Sequence, residues 1–380
     1  MRIIHIIPSL RKGGAERLAL DISTELAARK GVEVVLALLH NDRNYPLNAD
    51  APEIRYVPAK VQLSVLRAPK LDIAPWQQLL EEFKPDVIHS HLFEAEIVSR
   101  SAVYPKAVWF SHGHDNMPQL ETFGMDCLTD KRRLTDFFER QYLLKQYRRN
   151  GGNNFVAISK DVEQYLNRVL PSDLRKINLL SNAVNAARFR KPQNFNANPK
   201  AGVELVTVGS LVDKKNQAFL IEVMQQLLAN GINAHLNVLG DGVNRKMLEG
   251  KTASLNLEKH ISFRDNVPNV EEYLWKADVY VHSALYEPFG LVLIEAMVAG
   301  LPVVTLDGKG NRDIIKEGVN GYMVPNNAVQ FAEKIKLLMA DKALYTAVSE
   351  GARQFAEGYD IKAYTDKLLQ IYNTAIAAKH

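Results

Sequence analysis

Short continuous apolar runs alternate with helix-length segments along this chain, and the whole pattern runs through twice. In the first pass the runs are Arg2 to Ile7, Val34 to Leu39, Asp86 to His89, Ala107 to Ser111 and Phe155 to Ser159. Between them, Leu18, Ile22 and Leu26 recur at four-residue spacing, and Trp76 to Phe83 and Asp161 to Val169 have helix length. Runs that are apolar throughout suit parallel strands covered on both faces. Strands and helices in strict alternation predict an α/β doubly wound sheet.

The pattern restarts at Val203 to Val208. A helix from about Gln217 to Leu228 follows, then strands at Ala234 to Leu239, Ile261 to Phe263, Asp278 to His282 and Pro302 to Thr305. Between the two passes, Arg190 to Lys200 is rich in Pro, Asn and Lys and reads as a linker or long loop. A length of 380 residues fits two domains. The expected division is 1–185 and 186–360. The helix at 361–380, with Tyr364, Leu368 and Tyr372 at four-residue spacing, is expected to pack back on the first domain.

Composition closes off several classes. With 47% apolar and 24% charged residues the chain is ordinary for a globular protein, which excludes disordered and collagen-like classes. The single cysteine, Cys127, permits no intrachain disulfide. A net charge of +4 is too small and too dispersed for a nucleic-acid partner, yet it leaves room for an anionic small ligand or membrane surface. The first apolar run is broken by His5 and stopped at Pro8, unlike a signal peptide, and no run reaches the ~18 residues of a membrane span. A cytoplasmic location, with peripheral contact at the inner face of the cell membrane, is the expectation.

Ligands of open α/β sheets bind beyond the carboxyl ends of the strands, and the motifs of this chain lie there. Gly13-Gly14-Ala15-Glu16-Arg17 follows the first strand and opens a helix, whose free N–H groups favour anions. Its spacing is not the dinucleotide G-x-G-x-x-G. Glu287-Pro288-Phe289-Gly290-Leu291-Val292-Leu293-Ile294-Glu295 follows the strand Asp278 to His282. The amides of Phe289, Gly290 and Leu291 can face a phosphate. Glu295, in an otherwise apolar helix, needs polar partners such as ribose hydroxyls. A plain glycine turn and an ion-paired buried Glu are the structural readings of the same residues. Ser111 to Asn116 holds His112, His114 and Asp115, which could serve as a metal site or an acid–base group. Spacing and the lack of a cysteine pair speak against zinc.

Two glutamates separated by seven residues, in the wording E-P-F-G-L-V-L-I-E-A-M-V-A-G-L-P-V-V, resemble the retaining glycosyltransferases of family 4. The resemblance runs along almost the whole chain. It takes in Gly13 to Arg17, Asp86 to His91, Ser181 to Asn185, Val208 to Leu211 with Lys215, Gly240 to Gly242, and Asn320-Gly321. It implies the GT-B fold: two Rossmann-like doubly wound domains facing each other across a central cleft. It also implies catalytic roles for Glu287, His112 and Lys215. Donor binding would fall to Gly13, Gly14, Ser210, Lys215, Val267, Glu287, Phe289, Gly290, Leu291 and Glu295. Acceptor-side roles would fall to Glu16, Arg17, His114 and Asn182, with His89 and His91 structural or acceptor-side.

In such enzymes the diphosphate assists deprotonation of the acceptor, and cations and amides stabilise the leaving group without a metal. The implied partners are a nucleotide-diphosphate sugar, with a UDP-sugar favoured, and a glycan or lipid-linked glycan acceptor of envelope polysaccharide or lipopolysaccharide assembly. No cofactor is implied. A nucleotide-sugar epimerase of the same fold and a catalytically weak nucleotide-sugar-binding subunit are the alternatives. The chain departs from the family pattern in having Ser210 where an arginine is common, Ala183 for Gly, Asn185 for Asp and Asp265 for Gly. Finally, Lys131 to Arg149 mixes basic residues with Phe137, Phe138, Tyr142 and Tyr147. Such a helix either lies on an anionic membrane or buries its apolar face in the core.

Overall fold

The computed structural model describes residues 1–11, 13–45, 50–63, 68–121, 130–195 and 202–379. Cys127 lies outside the described residues. Contacts divide the chain into two units: Met1–Asn182 with Ile361–His380, and Ala183–Asp360. The limit therefore lies at Asn182, against the 185 expected from sequence.

The first unit begins with β1 (Arg2–Ile7), α1 (Gly14–Ala27), β2 (Glu33–Leu38), β3 (Glu53–Tyr56) and the small pair β4 (Lys60–Gln62) and β5 (Lys70–Asp72). It continues with α2 (Ala74–Phe83), β6 (Val87–His91), α3 (Phe93–Ser101), β7 (Val108–Gly113), α4 (Lys131–Asn150), β8 (Asn153–Ala157), α5 (Lys160–Val169) and β9 (Ile177–Leu179). Seven strands form a parallel sheet in the order β3-β2-β1-β6-β7-β8-β9. The order reverses direction between β1 and β6, which makes the carboxyl ends of these strands the natural ligand edge.

Strand alternation sorts the side chains of this sheet. Ile4, Ile6, Ile88 and Trp109 pack with Trp76, Leu79 and Leu80 of α2 on one face. Ile7, Leu36 and Leu38 pack with Ala19 and Leu20 of α1 on the other. His5, in the strand position before Ile6, falls on the same face as Ile7, and so do His89 and His91 of β6 beside it in register.

The second unit holds α6 (Ala186–Phe189), β10 (Val203–Val208), α7 (Gln217–Ala229), β11 (Ala234–Leu239), α8 (Arg245–Ser254), β12 (Ile261–Arg264), α9 (Val270–Lys276) and β13 (Val279–His282). Then come α10 (Leu291–Val298), β14 (Val303–Leu306), β15 (Gly321–Val324), α11 (Ala328–Ala340) and α12 (Lys342–Glu357). Its six parallel strands run β12-β11-β10-β13-β14-β15. The core joins Leu205, Leu236, Val238, Val279 and Val281 of the sheet to Phe219, Leu220, Met224, Phe331 and Ile335 of α7 and α11.

The last helix, α13 (Ile361–Ala377), belongs to the first unit and packs against α1 and β7. Its buried face is Ile361, Tyr364, Leu368 and Tyr372. Leu368 and Tyr372 are wholly buried, and burial of a Leu-sized side chain stabilises by roughly 1.5–3 kcal/mol. The strands β3, β9 and β15 have no counterpart in the sequence reading. Each has only three or four residues, and β3 and β9 are edge strands with mixed polarity and exposed positions.

Candidate functional site

In the second unit three polar side chains converge at the carboxyl ends of β10 and β13. Lys215 ends a 3-10 turn (Asp213–Lys215) that follows β10, and its Nζ lies 2.5 Å from Glu287 Oε2. His282, the last residue of β13, places Nε2 3.1 Å from the same oxygen. Ser283 ties the two loops together by donating its hydroxyl to the Lys215 carbonyl at 2.8 Å. Burial would raise the Glu287 carboxyl, but the His282 hydrogen bond and the Lys215 charge outweigh it and hold the pKa down to about 2. His282 is itself pushed down by burial, against the pull of Glu287, so it serves Glu287 as a neutral N–H donor. His282 was not anticipated. The available signal was a polar residue closing an apolar strand directly ahead of Glu287-Pro288-Phe289-Gly290.

The Glu287 loop is held by backbone. Glu287 N–H donates to the Gly308 carbonyl at 2.8 Å, and Gly310 N–H donates to the Glu287 carbonyl at 3.0 Å. Asn311, wholly buried, accepts from Gly308 N–H and donates to Thr305 Oγ1 and the Leu306 carbonyl. Gly290 opens α10 at φ +100°, where a side chain would be strained and would also crowd Leu293 and Glu287. Phe289 turns inward and is 2% exposed, so its ring belongs to the core beside Tyr359, and only its backbone remains for a ligand. Leu291 and Glu295 are half-buried on α10. Glu295 lies near the buried Tyr280, whose phenol burial keeps protonated, with the charges of Glu295 and Glu287 adding to the effect.

Two further loops of this unit carry expected donor residues. Ser210 is exposed and its carbonyl accepts from Gln217 Nε2 at 3.0 Å. The Lys215 side chain runs past Gly209, so the missing arginine leaves Lys215 as the cation placed at Glu287. Val267 donates its N–H to the Asp265 carbonyl at 2.7 Å, which spends the amide inside the loop. Asp265 pairs with Arg245 at 2.7 Å and does not take a positive φ, which explains why glycine is dispensable there.

In the first unit, Gly13 caps α1 and exchanges hydrogen bonds with the Tyr45 hydroxyl, 2.9 Å from its N–H and 2.8 Å from its carbonyl. Gly14 is exposed at the helix start. The Glu16 carboxylate folds over Gly13, where burial raises its pKa. Arg17 is paired with Asp21 at 2.9 Å.

His112 lies inside β7 and is 2% exposed, which corrects its expected place in a loop after the strand. The strand runs on to Gly113 because it pairs with β6 as far as His91 and with β8 as far as Ala157. His114 follows, half-buried, and stacks on His112 with ring centroids 4.1 Å apart. Asn182 is buried beside His112, where its side chain favours a proton on the ring and pulls against the lowering by burial, although no well-formed hydrogen bond to its Oδ1 is made. His89 and His91 of β6 join the same cluster, as does His5 of β1.

The basic segment forms α4. Its distal half buries Leu143, Leu144 and Tyr147, while Arg148 pairs with Asp173 and Arg140 donates to the Leu120 and Val169 carbonyls. Lys131, Arg132 and Arg133 stand exposed at its start. Among the described residues no helix is long and apolar enough to cross a membrane.

Comparison with known proteins also divides the chain in two, a few residues beyond the structural limit at Asn182. A family model described as Glycosyltransferase Family 4 matches residues 12–188, and one described as Glycosyl transferases group 1 matches residues 189–355. A lipopolysaccharide core biosynthesis glycosyltransferase, LpsE of Rhizobium meliloti, is 29% identical over 52% of this chain and 58% of its own length. The chain thus spans less than two thirds of that relative. A UDP-Gal:alpha-D-GlcNAc-diphosphoundecaprenol alpha-1,3-galactosyltransferase of Escherichia coli is 22% identical over 80% of this chain and 79% of its own. The crystal structure of Anabaena HepE in complex with UDP and glucose superposes with a TM-score of 0.77 at 18% identity, covering 98% of this chain and 99% of that one. At that identity the likeness speaks for the fold.

Proposed function

Since the chain belongs to glycosyltransferase family 4 and has its GT-B fold, we propose that it moves a sugar from a nucleotide-diphosphate sugar, with retention, to a glycan or lipid-linked glycan. A UDP-sugar is the favoured donor, in keeping with the UDP held by HepE and the UDP-Gal named for the Escherichia coli relative. Cell-envelope polysaccharide or lipopolysaccharide assembly is the setting that the LpsE likeness supports.

The observation that carries this reading is the Lys215–Glu287–His282 cluster beside the start of α10. When the bond from the anomeric carbon to the diphosphate breaks, negative charge grows on the leaving group. A fixed cation and helix-start amides at that place lower the barrier. Lys215 then serves two anions in turn, Glu287 before donor binding and the departing diphosphate during transfer. Glu287, ionised at any physiological pH, orients the sugar hydroxyls, and Glu295 takes the ribose. Phe289, Gly290 and Leu291 contribute backbone, as do Ser210 and the Val267 carbonyl. Gly13 and Gly14 complete the donor set on family grounds. Glu16, Arg17, His114 and Asn182 stay on the acceptor side, and His112 is the acid–base group of the first unit. The reading needs no metal and no cofactor, and places the protein in the cytoplasm at an anionic inner membrane face.

A thermal-shift screen of uridine, guanosine and adenosine diphosphate sugars tests it, because a specific ligand stabilises the folded state by mass action. The expected result is a rise in melting temperature with a UDP-sugar, lost in Glu295→Ala, and transfer that survives a chelator. Conversion of the donor without an acceptor would point to an epimerase instead, and binding without transfer or hydrolysis to a non-catalytic subunit.

A further inference from the structure

Five histidines and one tyrosine of the first unit are joined end to end by hydrogen bonds. His114 Nε2 lies 2.8 Å from His91 Nδ1, and His91 Nε2 lies 2.9 Å from His5 Nδ1. His5 Nε2 lies 3.2 Å from the Tyr372 hydroxyl, which is 2.5 Å from His89 Nδ1. His89 Nε2 then lies 3.2 Å from His112 Nδ1. His112 Nε2, at the end, is buried and makes no well-formed hydrogen bond among the described residues, while the neighbouring Asn182 side chain favours a proton on the ring. His114, at the other end, is partly exposed.

Every link that joins two rings runs from Nε2 of one to Nδ1 of the next, and Tyr372 fits between an Nε2 and an Nδ1. A neutral imidazole carries one N–H and one bare nitrogen. A chain of neutral rings joined in this way has two consistent arrangements: all five rings protonated on Nδ1, or all five on Nε2. Tyr372, with one O–H and acceptor lone pairs, passes either arrangement on. Burial keeps the rings neutral by lowering all five histidines, with Arg100 adding to the effect at His89, and keeps the Tyr372 hydroxyl protonated. Arg100 is itself paired with Glu96 at 3.0 Å, and Glu96 also accepts from Ser90 and Ser111, the residues that alternate with the histidines on β6 and β7. That pair balances its own charge.

We propose that His114, His91, His5, Tyr372, His89 and His112 form one proton relay, which sets whether His112 Nε2 accepts or donates a proton. In the Nδ1–H arrangement His112 Nε2 is bare and takes a proton from a hydroxyl presented to it. His112 Nδ1–H passes to His89 Nε2, His89 Nδ1–H to Tyr372 and Tyr372 O–H to His5 Nε2. His5 Nδ1–H passes to His91 Nε2, His91 Nδ1–H to His114 Nε2, and His114 Nδ1–H leaves to water. One proton enters, one leaves, and no ring remains charged. Under the transferase reading, on which only the purpose of the relay rests, the hydroxyl is the acceptor's, and the relay is a protein-borne sink for its proton.

Metal ligation is the competing use of such a cluster, and the ring planes disfavour it. A ring nitrogen binds a metal along a lone pair in its own plane. His112 and His114 are stacked within 4° of parallel and His89 and His91 within 14°, so neither pair aims its nitrogens at one ion. Among the described residues, each of the two histidine triplets close enough to share an ion contains one of these pairs.

Nitrogen-15 NMR of the histidine rings in the full-length protein decides the matter, because protonated and bare ring nitrogens resonate far apart. The expected result at neutral pH is one shared tautomer for the five rings, with His112 signals that shift together with those of His114 when acid protonates the latter. Tyr372→Phe, which keeps the ring and removes the hydroxyl, should leave His112 indifferent to His114. If that variant fails to fold, His114→Gln cuts the chain at its surface end and should likewise free the His112 tautomer. Mixed tautomers in the wild type, unchanged coupling in the variants, or collapse of the pattern into metal-shifted signals with added zinc would each overturn the relay. The readout needs no substrate, so failure of the transferase reading leaves it standing.

Discussion

Lys215 Nζ stands 2.5 Å from Glu287 Oε2 across 72 positions of sequence, with His282 on the same oxygen. Both partners are largely buried, at 18% and 10% side-chain exposure. Removing one member of such a pair leaves the other charge poorly solvated, at a cost of roughly 3 kcal/mol. Lys215→Ala should therefore lower the stability of the second unit by about that amount in urea titration and raise the Glu287 pKa. Turnover should fall by roughly 100-fold or more, in the range for removing a transition-state charge partner. Glu287→Gln should cost less stability, because a neutral amide still accepts from His282, yet lose turnover more than nucleotide affinity. Wild-type transfer in both variants would end the assignment.

Acid should act on the two units in different windows. In the folded protein the Glu287 carboxyl is held down to about 2, below its ordinary value of 4.5. Its contribution is present above about pH 4.5 and is lost as pH falls toward 2, an effect on the order of 3 kcal/mol. Burial also pushes the histidines of the first unit down, His112 to about 4 and His5 to about 3, from the ordinary 6.5 of an imidazole. The unfolded chain binds protons first, so stability falls from about pH 6.5 downward through those values. Denaturant melts followed by unit-specific probes should show the first unit weakening between pH 6.5 and 4. The second unit should weaken only slightly there, through His282, and steeply below pH 4.5. Equal profiles for the two units would contradict these assignments.

Strand–helix alternation carried the fold, because residues such as Ile3, Ile4, Ile6 and Ile7 of β1 are apolar on both sheet faces and wholly buried. Edge strands β3 and β9 escaped notice because residues such as Glu53, Tyr56 and Leu179 are exposed and obey no burial pattern. At the site, Glu287, Glu295 and Lys215 were legible from motif wording. What holds Glu287 was not: His282, Ser283 and Asn311 act through three-dimensional proximity, and no spacing rule marks them. The histidine chain was least legible. His112 and His114 stood out as a pair, but His5 read as an interruption of an apolar strand and Tyr372 as one position of a helix face. Their connection, across 367 positions, exists only once α13 packs on β7.

Gly290 gives a local test of how tightly the Glu287 loop must be held. It opens α10 at φ +100°, and an added Cβ would meet Leu293 Cδ1 at 2.9 Å and Glu287 Cγ at 3.3 Å. Gly290→Ala should cost about 1–3 kcal/mol of stability from backbone strain. It should also weaken donor binding, because the turn that presents the helix-start amides has to shift. Isothermal titration with UDP beside a urea melt separates the two effects. A stability loss with unchanged UDP affinity would show that the turn serves the fold alone.

The start of α4 is built against its own electrostatics. Asp130 caps the helix by accepting from the Arg132 and Arg133 amides, yet Lys131, Arg132 and Arg133 fill the first turn with positive charge. Cations at a helix start oppose its dipole by roughly 0.3–1 kcal/mol each. An anionic surface outside the protein would offset that cost, at about 1 kcal/mol per basic residue, and the effect would fade with salt. Arg140 and Arg148 are left out of the test, because their bonds to the Leu120 and Val169 carbonyls and to Asp173 hold the helix in place. Replacing Lys131 and Arg132 together by Gln, with the partnered Arg133 kept, should leave stability equal or slightly raised, with UDP binding unchanged. Flotation with vesicles rich in anionic lipid should drop at least tenfold at low salt. Equal flotation of the variant and the wild type would remove the membrane from the account.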